Sequence, residues 1–313
     1  MMNGDNFQVN PQVAEALASE QAVVALETTI LSHGMPYPTN LETALAVERI
    51  VRESGAIPAT IGIVGGQVTV GLTEAQLEMF ATKQGIVKAV ERDIPMVVAR
   101  ELDGATTVGS SLAIAAAVGI AVFVTGGIGA VAPQAGQTFD ISADLIAIAH
   151  YPCITVCAGA KAFMDIAATL EYLETQSAPV VGFQTDTLPL FYCRDSGFSL
   201  DWKCDTTEEV ASFFRSQMDL GIERGLLLGV PIPKADELEP ARLKHAIEVS
   251  LEKAQAAGKR GKEVTPFVLA AIKDETGGRS LSANVSLVKN NARVGGDIAV
   301  ALAVDQIEGA RST

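Results

Sequence analysis

The chain has 313 residues, 48% of them hydrophobic and only 5% aromatic, so we expect a large α/β protein whose core is filled by Val, Ile, Leu and Ala. Its formal net charge of −14 argues against nucleic-acid binding through a broad basic surface, so an anionic ligand must be small and held by a local cluster of donors. The N-terminus MMNGDNFQVN does not resemble a signal peptide and no apolar run is long enough to cross a membrane, so we expect a cytoplasmic protein with no membrane partner.

Strand and helix patterns alternate up to residue 190. Short apolar runs are typical of strands buried on both faces of a parallel sheet, and apolar residues at helical spacing predict the helices between them. The predicted strands are Val23–Leu26, Ala59–Val64, Val68–Gly71, Ile86–Val90, Met96–Ala99, Ile120–Val124, Ile154–Cys157 and Val180–Gln184. The predicted helices are Leu41–Ser54, Thr73–Lys83, Thr106–Val118, Ser142–His150 and Lys161–Glu174.

The last third of the chain is mixed. It predicts a strand at Gly225–Val230 and a final helix at Ser280–Leu302 with a break at Gly295-Gly296. Further helices are predicted at Thr207–Met218, Pro240–Ala257 and Thr265–Glu275. No repeat or low-complexity linker divides the sequence, so residues 1–313 are predicted to form a single domain, a three-layer α/β/α sandwich around a largely parallel central sheet. In such folds ligands bind beyond the carboxyl ends of the strands.

The cysteines and histidines do not predict a zinc site. Four cysteines include no C-x-x-C pair, and the three histidines are scattered along the chain. Cys153 and Cys157 lie in an apolar stretch, where free cysteines are usually buried thiols.

Lys161 follows the strand motif ITVCAGA and is predicted to open a helix. The positive end of the helix dipole and the lack of a neighbouring carboxylate would both lower the pKa of its ammonium group. A neutral amine can attack a carbonyl and form a Schiff base. The alternative is an ordinary surface lysine at a helix start.

Glu27 ends a strand that is predicted to be buried on both faces. Its carboxylate must therefore be paired or have a raised pKa, and a raised pKa suits a general acid near neutrality. The alternative is a structural ion pair, or a cap on the following Thr28-Thr29 turn.

The segment FDISAD combines an acidic residue with a predicted helix start. Ser142 as N-cap and the free amides after it form an anion site, and Asp140 just outside it could hold a hard divalent cation together with water. Ordinary capping by Ser142, with Asp144 complementing the helix dipole, explains the same pattern.

The segment GATTVGSS predicts a second loop that runs into a helix, with Thr106 and Thr107 near the helix start. Amides at such a start can bind phosphate, and Lys88 would add a positive charge. The turn TGGIGA lacks the full G-x-G-x-x-G spacing, which argues against a dinucleotide site.

Together these segments resemble the pseudouridine-5′-phosphate glycosidase family, also called the indigoidine synthase A-like family. The resemblance spans about residues 10 to 300 and lies in the ordered set of motifs. The matching stretches are VVALETTILSHGMPYPTN, GAIPATIGIVGG, KAVERDIP, GATTVGSS, TGGIG, TFDISADL, VCAGAKAFMD, YLETQSAPVVGFQTDTLPLFYCRDSGF, VPIP, TPFVLA and TGGRSLSANVSLVKNNA.

The resemblance implies a homotrimeric enzyme, a glycosidase or lyase of the pseudouridylate synthase type, with a divalent metal that is typically manganese. The family interconverts pseudouridine 5′-phosphate plus water with uracil plus ribose 5-phosphate. The imine-forming lysine of the family falls on Lys161, its proton-donating glutamate on Glu27 and its metal-ligand aspartate on Asp140. Its phosphate and ribose contacts fall on Lys88, Val108, Thr125, Ser142, Ala143 and Asp144, and its uracil-reading asparagine falls on Asn284.

The chemistry explains why these residue types are needed. Breaking the glycosidic C–C bond leaves carbanion character on uracil C5, so an iminium at ribose C1′ can act as electron sink while an acid protonates C5. Lys161 and Glu27 suit these two tasks, and Asp144 would shuttle protons during ring opening or imine formation. Asn284 offers the donor and the acceptor that a uracil edge requires.

One stretch departs from the family pattern. The family has G-G-V-H-R-G after the glycine turn, whereas this chain has GAVAPQAG, with Ala132 and Pro133 in place of His and Arg. Either another loop compensates, with Gln137 as a partial substitute, or the substrate differs or activity is weak. Three alternatives therefore stay open: C-ribosylation of another heterocycle or aromatic acceptor, a non-catalytic sugar-phosphate-binding trimer, and a class I aldolase, although no eightfold βα pattern is evident.

Overall fold

The computed structural model describes residues 2–259 and 263–311. The strands are β1 (Gln8–Val9), β2 (Val23–Leu26), β3 (Ile57–Val64), β4 (Gln67–Val70), β5 (Val87–Ala89), β6 (Gly104–Thr106), β7 (Val122–Val124), β8 (Ile154–Cys157), β9 (Val180–Phe183), β10 (Trp202–Cys204) and β11 (Leu226–Gly229). The helices are α1 (Pro11–Ala18), α2 (Thr39–Glu53), α3 (Glu74–Thr82), α4 (Ile94–Ala99), α5 (Val108–Ala117), α6 (Ala135–Thr138), α7 (Ala143–His150), α8 (Ile166–Thr175), α9 (Thr207–Asp219), α10 (Pro240–Ala256), α11 (Val264–Glu275) and α12 (Arg279–Arg311).

The central sheet is mostly parallel. Its parallel part has the order β3-β2-β7-β8-β11-β9-β10. The first half of β3 pairs with β2, and its second half pairs antiparallel with β4 and β6. Strands β1 and β5 extend this second part through parallel pairs with β4 and β6. All strands of the parallel part therefore end at one edge of the sheet.

Helices cover both faces of the sheet and form two cores. Along β2, Val24 and Leu26 pack into one hydrophobic core, while Val23 and Ala25 pack into the other. This alternation follows from the period of two in a strand, and all four side chains are buried because both faces are covered. The predicted three-layer arrangement around a largely parallel sheet is therefore confirmed. In the part of the chain that the structure describes, no helix has both the length and the hydropathy that a membrane span requires.

Two predicted elements differ from the structure, and strand β6 was missed. The segment predicted as strand Met96–Ala99 lies in helix α4, because a short apolar run does not distinguish a strand from a buried helix, and Pro95 occupies a first-turn position where proline is tolerated. The helix predicted to open at Lys161 begins only at Ile166, where the side chain of Asp165 caps it. The sequence before α5 forms strand β6, which the glycine- and threonine-rich pattern did not predict.

Helix α12 also differs from its prediction, because it continues through Gly295-Gly296 without a break. A Cβ atom at Gly295 would collide with the side chain of Val124 on β7, and one at Gly296 would lie 2.7 Å from the Cβ atom of Ser54. The two glycines therefore let α12 pack closely against the sheet and against the end of α2, rather than interrupting the helix.

Candidate active site

A cavity of about 820 Å³ lies at the carboxyl edge of β2, β7 and β8. This volume falls within the range of about 300–1,000 Å³ that is usual for small-molecule sites. All of the predicted site residues line it: Glu27, Lys88, Thr107, Val108, Thr125, Asp140, Ser142, Ala143, Asp144, Lys161 and Asn284. The structure therefore brings together residues that are up to 257 positions apart in the sequence, from Glu27 to Asn284.

Parallel strand order explains why the central residues meet. Strand β2 ends at Leu26 and is followed by Glu27, and the neighbouring strand β7 ends at Val124 and is followed by Thr125. The next strand, β8, leads through a short loop to Lys161, whose backbone N–H donates to the Ile128 carbonyl at 3.2 Å. Three adjacent strand ends thus supply an acid, a hydroxyl group and an amine.

Glu27 has a carboxyl group that titrates near neutrality. Burial raises its pKa from the ordinary value of 4.5 to about 7, against the opposing effects of the Lys161 ammonium and of a hydrogen bond donated by the Thr125 hydroxyl. Asp144 raises the pKa further and Lys88 lowers it. The sequence left open whether this carboxylate is paired or has a raised pKa, and both apply, because Glu27 has a neighbouring cation and a raised pKa. Its protonated and ionised forms are therefore both populated at neutral pH.

Lys161 is half-buried in the loop between β8 and α8. Because α8 starts five residues later, the helix-dipole argument does not apply to this lysine. Its Nζ donates to the Gly127 carbonyl at 3.0 Å, which fixes the amine beside the turn after β7. The loop needs glycine at Gly159, where φ is +85° and a Cβ atom would collide with the backbone of Pro189.

Asp144 is buried at the start of α7 and binds two backbone amides. Its Oδ1 accepts from Gly109 N at 3.0 Å and its Oδ2 from Gly129 N at 2.9 Å. The carboxylate therefore joins the first turn of α5 to the glycine turn, a structural task in addition to any proton transfer. Ser142 is the N-cap of α7, as predicted, and its Oγ accepts from Asp144 N at 3.3 Å.

Asp140 is the expected metal ligand, and its side chain is exposed at the rim of the cavity. Among the described residues, no three His, Cys, Asp or Glu side chains come together as a metal site. A single carboxylate suits a hydrated divalent ion that takes its other ligands from water and substrate oxygens, and it does not suit an all-protein cage.

The first turn of α5 forms the wall next to Lys88. Thr107 is the N-cap of α5 and Val108 its first residue, so the helix begins two residues later than predicted. The Thr107 N–H is bonded to Ser110 Oγ at 2.7 Å. Lys88 lies on β5, which is followed at Val90 by the short turn that leads into α4.

Asn284 comes from α12 and is buried beside the glycine turn, where a Cβ atom on Gly126 would lie 3.4 Å from its Oδ1. Within the described chain, this Oδ1 has no hydrogen-bond partner. A buried acceptor without a donor is costly unless a ligand supplies one, so Asn284 suits a ligand that carries an N–H group.

Several lining residues had no sequence signal of their own. The side chains of Phe163, Phe191 and Leu269 add apolar wall, and Arg92 adds a cation. They do not follow the predicted strand ends, and an apolar residue in a loop or on a helix is equally consistent with a core position. Ala132 and Pro133 also line the cavity, so the departure from the family motif lies within the site.

The cavity contains an amine and an acid that titrates near neutrality, two groups that acid–base catalysis requires. The fold and the site therefore define an α/β enzyme that acts on a small molecule. The family model described as "Indigoidine synthase A like protein" matches residues 12–301, and the chain belongs to this family.

Relatives named pseudouridine-5′-phosphate glycosidase match nearly the whole chain. It is 51% identical to the pseudouridine-5′-phosphate glycosidase of Caldanaerobacter subterraneus subsp. tengcongensis, over 95% of this chain and 96% of the relative. It is 50% identical to the enzyme of the same name from Clostridium botulinum, over 95% of this chain and 97% of the relative.

Among solved structures, the prealnumycin C-glycosynthase AlnA in complex with ribulose 5-phosphate superimposes with a TM-score of 0.89 at 36% identity, over 97% of this chain and 99% of that one. An indigoidine synthase A-like protein from Thermotoga maritima gives a TM-score of 0.87 at 35% identity, over 97% and 98%.

Proposed function

We propose that this enzyme reversibly cleaves pseudouridine 5′-phosphate into uracil and ribose 5-phosphate through a Schiff base on Lys161. Relatives about half identical over the full chain carry the name of this activity. The single observation that carries the proposal in the structure is the arrangement around the turn at residues 125–127, where Thr125 contacts Glu27 and Gly127 contacts Lys161.

In the cleavage direction the amine of Lys161 attacks ribose C1′ and displaces the ring oxygen, which takes a proton and becomes the C4′ hydroxyl, so the opened sugar is held as an amine at C1′. The C1′–C5 bond then breaks: its electron pair goes to uracil C5, which takes a proton, while the lone pair of the Lys161 nitrogen forms the C1′=N bond of the iminium. Glu27 is the proton donor, since a pKa of about 7 leaves a large protonated fraction at neutral pH. Water hydrolyses the imine, which releases ribose 5-phosphate and returns the amine of Lys161.

The remaining lining residues would recognise the two halves of the substrate. Lys88 suits the phosphate because its ammonium is a cation, and Thr107 and Val108 line the wall beside it at the positive end of α5, where the Gly109 amide is already bonded to Asp144. Asn284 suits the uracil edge, since its unpartnered Oδ1 would accept from a ring N–H. Thr125 and the start of α7, with Ser142, Ala143 and Asp144, complete the ribose side.

A divalent metal, Mn²⁺, is part of the proposal. Asp140 would hold it, and the ion would supply positive charge near the substrate oxygens. The donor set of one exposed carboxylate implies weak binding through water, so activity should depend on added Mn²⁺ in the bulk solution.

The test is release of uracil from pseudouridine 5′-phosphate, measured by chromatography with Mn²⁺ and with a chelator. We expect release by the wild type with Mn²⁺ and none by Lys161→Ala, whose fold is checked by circular dichroism. Binding of ribose 5-phosphate by the wild type without any uracil release would instead support a non-catalytic sugar-phosphate-binding protein.

A second candidate function is C-ribosylation of another heterocycle or aromatic acceptor. Two observations favour it: Ala132 and Pro133 replace an imidazole and a guanidinium in the cavity wall, and one structural neighbour is a C-glycosynthase. Mass spectrometry of products from ribose 5-phosphate with uracil, and with larger aromatic acceptors, would separate the two activities.

The proposal also includes a homotrimer in the cytoplasm, where phosphorylated nucleotides are found. Exposed apolar side chains at the cavity, on Phe139, Ile141 and Ile146, suit a subunit contact. Light scattering coupled to size exclusion would measure the mass against the 32.7 kDa of one chain.

A further inference from the structure

Asn291 lies on α12, seven residues or two helical turns after Asn284, so both amides belong to one face of the helix. Its side chain is fully buried and does not line the cavity. Its Nδ2 donates to the backbone carbonyls of Thr125 at 2.8 Å and of Gly126 at 3.3 Å. Because a carbonyl can only accept, the amide must present its nitrogen to this turn.

This orientation has a cost. The Oδ1 atom of Asn291 is buried and has no hydrogen-bond partner among the described residues. A buried acceptor left without a donor is destabilising, and an apolar side chain would remove this acceptor while leaving the Thr125 carbonyl without the donor of Asn291. The amide of Asn291 therefore holds this turn with its nitrogen and leaves its own oxygen unsatisfied.

The turn that Asn291 binds is the connection between the acid and the amine. The Thr125 hydroxyl donates to Glu27, and two residues later the Gly127 carbonyl accepts from the Lys161 ammonium. A shift of this turn would change the distance between the two reacting groups without altering either side chain.

We propose that Asn291 is a positioning residue that fixes Glu27 and Lys161 relative to each other by holding the turn at residues 125–127. This inference rests on the proposed function, because it assigns those two side chains to one reaction. Asn291 itself touches no substrate.

The pH profile reports on the same contact. The charges of Lys161, Lys88 and Asp144 surround Glu27. The hydrogen bond from the Thr125 hydroxyl lowers the pKa of Glu27. If the turn relaxes and this hydroxyl is lost, the pKa of Glu27 rises. Since the reaction uses the protonated acid, the alkaline fall in activity should then move to higher pH.

The test compares Asn291→Leu with the wild type in the uracil-release assay. Leucine has a similar size but no donor: it removes the orphan oxygen and also leaves the Thr125 carbonyl without the hydrogen bond from Asn291, so we expect a lower melting temperature in a protein that is still folded at the assay temperature. We expect kcat to fall about 100-fold, because small misplacements of reacting groups have effects of that size, while KM changes far less. The matched control is Asn290→Leu on the same helix. The Asn290 amide donates to the Pro231 carbonyl at 3.2 Å outside the cavity, so its loss should leave kcat and the pH profile unchanged.

A folded Asn291→Leu enzyme with the kcat and the pH profile of the wild type would overturn the inference, as would a loss of activity no larger than the loss of folded protein. If the leucine variant does not fold, Asn291→Asp decides, because a protonated carboxyl can donate one hydrogen bond. Its activity relative to the wild type should rise as the pH falls, and a flat ratio would count against the inference. Absence of uracil release by the wild type would instead contradict the proposed function.

Discussion

Replacing Glu27 by glutamine should make the protein more stable at alkaline pH. Burial holds the pKa of the folded carboxyl near 7, above its ordinary value of 4.5, so between these values the unfolded chain is ionised while the folded protein keeps its proton. The wild type therefore loses stability as the pH rises through this interval, and the loss is complete above pH 7. The interval corresponds to about 3 kcal/mol.

Glutamine cannot ionise, and its oxygen still accepts from the Thr125 hydroxyl. We expect Glu27→Gln and the wild type to have similar melting temperatures at pH 4.5, and the variant to melt about 5 °C or more above the wild type at pH 8.5. Scanning fluorimetry at both pH values measures this difference. The control is Glu15→Gln on the exposed face of α1, which should shift the melting temperature equally at the two pH values. A Glu27→Gln protein that follows the pH dependence of the wild type would refute the reasoning.

Other changes test the structural tasks of the site. Asp144→Asn should lower the free energy of unfolding by about 1–3 kcal/mol, because one of two buried backbone N–H groups loses its acceptor, and unchanged denaturant unfolding would contradict this. Gly295→Ala should destabilise the protein by about 1–3 kcal/mol through its clash with Val124, as measured by the same method, and an unchanged free energy of unfolding would contradict the close packing of α12 on β7. Asp140→Ala should raise the Mn²⁺ concentration for half-maximal uracil release and leave folding intact, whereas an unchanged titration would exclude Asp140 as ligand.

Much of the fold was predictable because strands buried on both faces leave a distinct pattern. The runs at 23–26 and 154–157 are apolar throughout, and the predicted bounds agree with β2 and β8. The short run at 96–99 fits a strand and a buried helical turn equally well, and it forms α4. The pair Gly295-Gly296 predicts a break by propensity, yet tertiary packing against β7 decides the outcome.

The site was predictable where a residue follows a strand end, since the topology of a parallel sheet gathers such positions at one edge. Glu27 is the clearest case. Lys161 lines the cavity, but the helix start that the sequence predicted for it is wrong, because the loop after β8 and the Gly127 carbonyl hold it. Asn291 was not predicted, although its spacing of seven residues from Asn284 was visible in the sequence. A buried asparagine on a core helix face gives no indication of which backbone group it contacts.

The central claim is that the amine of Lys161 forms an imine with a pentose phosphate in the cavity that also contains Glu27. Borohydride reduction in the presence of ribose 5-phosphate, followed by peptide mass mapping, tests it most directly. We expect a pentose-phosphate mass on the peptide that contains Lys161, and none after Lys161→Ala. Labelling of a different lysine, or no labelling of an enzyme that releases uracil, would contradict the account.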